Sequence, residues 1–331
     1  MIFARDKSQM CNNLLQYAHV YAWGREHGRK VISMRFSYKY QYFHICHTNL
    51  TGFGWYLFAK YMAALHLLPT ASFKHADCDR EALERKMLRH RHIVVSGWNV
   101  RFYDLFLKYR SEIVELFRID ECYTQPVREK MNVNDNVNDN VNANVNANVN
   151  DNVNANSNAR SAEGRLQGKN ANPQRSTLNA QRSTLRPAPL DLRPKSQISL
   201  GVHIRRGDYA TWQDGRYFFD DKVYASYINR FAAMHPDQTV DVFLSTNDAQ
   251  VTAEHYQALC PKVRIHHLKG SAPEDLFMLS ECDYLIGPPS TFSLVAAMYR
   301  DIPLYRMDSA DADSMTADGF RLFDYWFRRI L

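Results

Sequence analysis

The chain has 331 residues, 45% of them hydrophobic and 13% aromatic, with a formal net charge of +6. That length suits one large domain or two ordinary ones, with enough apolar material for a sizeable core. The mild basicity fits an anionic substrate or a membrane surface and is too weak to indicate a nucleic-acid partner.

The first residues, MIFARDKSQMCNN, carry charge early and lack an apolar h-region, so no signal peptide is expected. No 18-residue apolar run exists, so no membrane span is expected either. A short apolar piece at 2–4 opens the chain. A helix is predicted from Asn13 to His27, with Leu14, Leu15, Ala18, Tyr21 and Ala22 on one buried face and Gly28 as C-cap. VISMRF at 31–36 and HIVVSGW at 92–98 read as strands, and 103–117 as an amphipathic helix. The six cysteines, at 11, 46, 78, 122, 260 and 282, form no CxxC pair. They indicate neither a zinc knuckle nor a redox motif, and fit a reducing cytoplasm better than a disulfide framework.

Asn occupies every even position from Asn132 to Asn158, interleaved with Val, Asp and Ala. A strand of that length would be far outside the usual range, and Asn forms strands poorly. QRSTL then occurs at 174–178 and again at 181–185, and Pro187, Pro189 and Pro194 follow. The segment 130–195 is expected to be a disordered low-complexity linker between an N-terminal domain, 1–129, and a C-terminal one, 196–331.

In the second half apolar strands alternate with helices. Strands are predicted at 198–204, 240–245, 263–268, 283–287 and 302–306, with helices at 221–234, 248–259, 273–281 and 291–299. This repetition implies an α/β fold with a parallel sheet, whose ligand sites lie beyond the C-terminal ends of the strands. The first of these strands ends in His203-Ile204-Arg205-Arg206-Gly207-Asp208. His203 and Arg205 share one face and Arg206 takes the other. Arginine remains charged and offers a planar fork of donors, which suits a diphosphate. An ion-paired strand end accounts for the same residues without any ligand. Arg206-Gly207-Asp208 also spells an adhesion tripeptide, but it follows a buried strand rather than occupying an exposed loop. At the fourth strand end, Gly287-Pro288-Pro289 leads to Ser290 or Thr291 as N-cap of an apolar helix, an anion-suited terminus that simple capping explains equally.

HIRRGDY, 203–209, resembles the H-x-R-R-x-D-Y signature of the alpha-1,2-fucosyltransferases, glycosyltransferase family 11. VDVFLSTND, 240–248, and EDLFMLSECDYLIGPPSTFSLVAAMY, 274–299, resemble that family's second and third motifs. NNLLQYA at 12–18 and HGRKV at 27–31 resemble its N-terminal element. The chain departs from the family at Ser8-Gln9-Met10-Cys11, where the family has Gly-Gly, and at Leu294-Val295, where a Trp is usual; the Asn-rich segment has no counterpart.

The resemblance implies two Rossmann-like domains of the GT-B type, the C-terminal one holding GDP-fucose. It implies inverting, metal-independent transfer of fucose to a glycan hydroxyl, galactose O2 above all. On it, Arg205 holds the diphosphate beside His203, and Asp208 is the candidate base by position. Arg206, Gly287, Ser290, Thr291, Ser293, Asn12 and Asn13 form the donor site, and Asp275 supports the fold. No cofactor beyond the donor substrate is expected. Asp77-Cys78-Asp79 and Asp311-Ala312-Asp313 match the letters of a metal-binding motif in loop-like surroundings. The expected partners are a sugar nucleotide and a glycan acceptor. Two rival readings are another sugar-nucleotide transferase and a non-catalytic nucleotide- or glycan-binding relative. The expected location is cytoplasmic. The terminal run FDYWFRRIL, 323–331, either packs on its own domain or rests on the inner face of a membrane.

Overall fold

The computed structural model describes residues 1–5, 8–131 and 196–330. The Asn alternation, the QRSTL repeat and the prolines of the expected linker lie outside the described residues.

The first half forms a four-stranded parallel sheet in the order β2-β1-β4-β3. Its strands are β1 (Ile2–Arg5), β2 (Val31–Ser33), β3 (Thr70–Ser72) and β4 (Ile93–Ser96). Helices α1 (Met10–Glu26), α2 (Phe53–Ala64) and α3 (Arg80–Arg89) connect them, followed by α4 (Tyr103–Lys108), α5 (Arg110–Leu116) and a helical stretch, α6, at 121–131. The second half forms a five-stranded parallel sheet in the order β7-β6-β5-β8-β9. It comprises β5 (Gln197–Ile204), β6 (Thr239–Thr246), β7 (Arg264–His266), β8 (Tyr284–Gly287) and β9 (Leu304–Arg306). Helices α7 (Asp221–Met234), α8 (Ala253–Leu259), α9 (Ala272–Glu281) and α10 (Thr291–Arg300) alternate with them, and α11 (Phe323–Phe327) closes the chain. The expected α/β class with parallel strands is observed.

The central strands explain the stability of the second sheet. Val240 to Ser245 of β6 are all buried, with both faces covered by helices. Each fully buried Val, Leu or Ile contributes about 1.5–3 kcal/mol relative to exposure. In register, His203 of β5 pairs with Ser245 of β6, and Val202 pairs with Ile286 of β8. In both sheets the first strand lies inside, with the second strand on one side and a later strand on the other. The chain therefore reverses its direction of travel between β1 and β4 and again between β5 and β8. These are the two places where an open parallel sheet leaves a crevice for a ligand.

The first half departs from its sequence reading in several places. Helix α1 starts at Met10, not Asn13, and its C-cap is His27; Gly28 stands one residue beyond, at φ 61°. It is buried on nearly every side, including Tyr17, Val20 and Trp23, rather than on one face. The reason is its place in a core cluster shared with Leu294, Val295 and Met298 of α10 and with Phe106 of α4. The strand expected over 31–36 stops at Ser33, and the helix expected over 103–117 breaks at Tyr109. The terminal run packs inward: Phe323 and Phe327 are fully buried, and Phe327 stacks on His19 at 5.1 Å between ring centres. Trp326 Nε1 donates to the Leu304 carbonyl at 2.7 Å. Phe323 and Phe327 are thus core residues, while Tyr325 is exposed at 39%.

Candidate functional site

The loops at both crossing points line one cleft of about 980 Å³. Its charged lining is Arg5, Lys74, Arg205, Arg306 and Asp208, four cations against one carboxylate among the described residues. Arg5 ends β1, Lys74 follows β3, and Gly97 and Trp98 follow β4 on the same wall. Gly97 has φ 110°, and a Cβ there would come within 2.3 Å of the Phe73 carbonyl carbon, so only glycine fits this turn.

Arg205 follows β5 and enters the cleft. Its Nη2 donates to Asp208 Oδ2 at 3.0 Å and to Gln9 Oε1 at 3.0 Å. Gln9 Nε2 donates in turn to Asp208 Oδ2 at 3.3 Å. Gly207, at φ 66°, makes the turn that folds Asp208 back onto Arg205. Arg206 points away and does not line the cleft. Its guanidinium donates to Asp248 Oδ2 at 3.0 Å and to Asp221 Oδ1, while Asn247 grips its backbone from both sides. Both charges of the Arg-Gly-Asp tripeptide are thus engaged within the fold.

His203 lies beneath the cleft, fully enclosed. Burial, and then the charge of Arg205, push its pKa down to about 3, so the imidazole is neutral near pH 7. Its ring centre is 5.1 Å from that of Phe292, and its Nδ1 has no partner among the described residues. Gly287 is what lets β8 end against it: a Cβ at that position would lie 3.1 Å from His203 Cβ. Neither residue is part of the lining.

At the start of α10, Ser290 caps the helix, its Oγ accepting from Phe292 N at 3.2 Å. Ser293 Oγ donates to the Ser290 carbonyl at 3.2 Å, and Thr291 Oγ1 donates to Asn12 Oδ1 at 2.6 Å. Ser290, Thr291, Ser293 and Asn12 all line the cleft. Asn13 is buried instead and ties the loop after β1, donating to the Ser8 carbonyl at 2.7 Å and accepting from Ser8 N at 2.9 Å. Tyr209 OH donates to the Pro289 carbonyl, joining the loop after β5 to the loop after β8; burial pushes its pKa up to about 12.

Residues 176–302 match the family model described as Glycosyl transferase family 11. This match spans 127 of the 331 residues and is a similarity to that family over that stretch. No curated protein matches the chain. A mutant of Arabidopsis thaliana FUT1, solved in complex with GDP, is similar with a TM-score of 0.54 at 10% identity, over 97% of this chain and 73% of that one. POFUT1 in complex with GDP gives a TM-score of 0.47 at 9% identity, over 91% of this chain and 94% of that one. At 10% identity the likeness to FUT1 is one of fold.

The matched segment thus brings Arg205, Asp208, Ser290, Thr291 and Ser293 to the cleft, and α1 adds Asn12. It does not bring Arg206, Gly287, His203 or Asn13 to its surface. Arg5, Lys74, Trp98, Gln9 and Arg306 line the cleft without having been singled out from sequence. Only Arg5, the charge that ends an apolar tripeptide, left a local trace. Asp275 is held under the cleft wall, accepting from Ser245 Oγ at 2.9 Å; burial pushes its pKa up to about 7. The two metal-like motifs are capping devices: Asp79 accepts from Ala82 N at 2.9 Å and Asp311 from Asp313 N at 3.0 Å. No group of three or more His, Cys, Asp or Glu that could hold a metal occurs among the described residues.

Proposed function

We propose that this protein transfers fucose from GDP-fucose to a hydroxyl of a glycan acceptor, with inversion and without a metal ion. The 196–331 half holds the donor and the 1–129 half faces the acceptor, for which galactose O2 is the favoured position. The observation that carries this reading is the cleft: the family 11 segment presents Arg205 to a lining of four cations and one carboxylate. That balance suits a nucleoside diphosphate. The FUT1 and POFUT1 structures with GDP supply the nucleotide.

In the reaction the acceptor oxygen forms a bond to C1 of fucose as the bond from C1 to the β-phosphate oxygen breaks. The electron pair leaves with GDP, so negative charge grows on the diphosphate. Arg205, already aligned by Asp208 and Gln9, is positioned to donate to it. The Ser290 and Thr291 hydroxyls at the start of α10 lie where they can bind phosphate or guanosine. The acceptor's proton needs a base, and Asp208 is the only carboxylate among the described lining residues. His203 does not fill that role, being buried beneath the lining with its pKa lowered to about 3 by burial.

One observation favours a second reading, a nucleotide-binding relative without turnover. Gln9 stands where the family has glycine and occupies Arg205. An incubation with GDP-fucose and galactose-terminated glycans separates the two. A new fucosyl linkage of inverted anomeric configuration, with stoichiometric GDP, supports transfer. GDP binding without product across an acceptor panel supports the relative.

A further inference from the structure

Helix α2 is apolar on two opposite sides. One side packs on the first sheet, with Ala59 buried and Tyr56, Met62 and Ala63 against Phe3, Ile32 and Val94. On the other side Phe53, Leu57, Tyr61 and Leu65 recur every four residues, which places them along one face. Phe53 and Tyr61 are each 58% exposed and Leu65 is 66% exposed. Trp55 and Phe58 form the margin, their rings 6.1 and 6.0 Å from that of Phe3, and exposed Leu67 extends the surface past the helix. Single exposed apolar residues are ordinary; a contiguous group of this kind marks a contact surface.

The stretch of chain that carries α2 has charge of one sign. Between Glu26 and Asp77 the chain has no acidic residue, while it carries Arg29, Lys30, Arg35, Lys39, Lys60 and Lys74. Lys60 Nζ lies 5.6 Å from the ring centres of both Tyr56 and Tyr61. The Tyr38 ring is 4.6 Å from that of Tyr56, so the loop that carries the exposed Lys39 adjoins the helix. Exposed aromatic rings with a lysine among them, on a segment that carries no acidic residue of its own, match the headgroup layer of an anionic bilayer. Trp and Tyr settle at that depth and each Lys or Arg gains from the surface potential. A second copy of the chain would bring the same positive charge against itself.

We propose that the outward face of α2 docks on an anionic lipid surface. No helix among the described residues is long and apolar enough to cross a membrane, so the helix lies in the interfacial plane. The inference is independent of donor chemistry.

The test is flotation of the full chain with phosphatidylcholine vesicles, with and without one quarter phosphatidylglycerol. The chain should float with the anionic vesicles and far less with the neutral ones. A Phe53→Ser/Tyr61→Ser/Leu65→Ser variant, unchanged in circular dichroism, should lose at least tenfold in partitioning. Lys39→Glu/Lys60→Glu, which leaves the apolar face intact, should lose at least about fivefold, and it carries the test if the triple variant does not fold. The proposal is overturned by absence of flotation or by variants that partition like the parent. It is also overturned if light scattering shows a dimer that the triple variant dissolves, which would assign the face to a second copy.

Discussion

The side-chain oxygen of Gln9 accepts a hydrogen bond from Arg205 Nη2 at 3.0 Å, joining the residue before α1 to the end of the central strand of the other sheet. The same guanidinium meets Asp208 Oδ1 at 2.8 Å, so two partners from different parts of the chain fix its direction. Gln9 therefore occupies a donor that a phosphate would use. Replacing Gln9 by Ala removes its two hydrogen bonds, to Arg205 and Asp208, each worth about 1 kcal/mol, and should tighten GDP binding several-fold. Unchanged or weaker binding would show that Gln9 is a support for Arg205 and not its competitor.

Arg206 and Arg205 are adjacent, and their substitution should have opposite consequences. Arg206 is 13% exposed, and its loss leaves Asp221 and Asp248 without their cation. Arg206→Ala should cost about 1.5–3 kcal/mol of stability, the range for hydrogen bonds to charged groups, and leave the GDP dissociation constant of the folded protein unchanged. Urea unfolding and a nucleotide titration on the same sample check both halves of that statement.

Acid should destabilise the protein through two buried histidines. Burial, then nearby Arg101, lowers the His19 pKa to about 3, and its Nδ1 accepts from Phe102 N at 3.0 Å. Burial and Arg205 lower that of His203 to about 3. Unfolded, both would bind protons near the ordinary histidine pKa of about 6.5. Between those values the unfolded chain holds more protons, so stability is complete above pH ~6.5 and falls as pH drops toward ~3. The loss should be on the order of several kcal/mol for the pair. A urea midpoint that stays flat from pH 7 to pH 4 would contradict the neutral, enclosed state of both rings.

Asp275 has the opposite sign. Burial raises its pKa to about 7, so the folded protein holds a proton that the unfolded chain has released above about pH 4. The stability that its protonation confers is lost as pH rises through 7. Asp275→Asn keeps a neutral partner for Ser245 and should match the parent below about pH 4 and exceed it increasingly up to pH 8. A variant less stable than the parent at pH 8 would show that the carboxylate is needed ionised, as it would be if it contacted the donor.

The second sheet was legible because its strands are buried on both faces and read as uninterrupted apolar runs such as VDVFL. Helix α7 falls on 221–234 as its sequence period indicates, with Asp220 capping it. The first sheet was largely hidden. Strand β3 has three residues, too few for any alternation to register, and α2 carries apolar residues on both sides, which erases the helical period. Asp79, whose carboxylate caps α3, was a local helix signal. In the cleft, Arg205, Asp208, Ser290 and Thr291 were accessible because each sits in a strand-to-helix motif. Lys74, Trp98 and Arg306 were not, since only the pairing of distant strands brings Lys74 and Trp98 to the cleft from the first sheet and Arg306 from the second.

The central claim is that the cleft binds a guanine diphosphate through Arg205. Calorimetric titration with GDP-fucose, GDP-mannose and UDP-galactose, on the parent and on Arg205→Ala, tests it most directly. The account predicts selective binding of the guanine nucleotides and a loss of about 2 kcal/mol or more, roughly thirtyfold, in Arg205→Ala. No nucleotide binding by the parent, or equal binding by a folded Arg205→Ala protein, would contradict it.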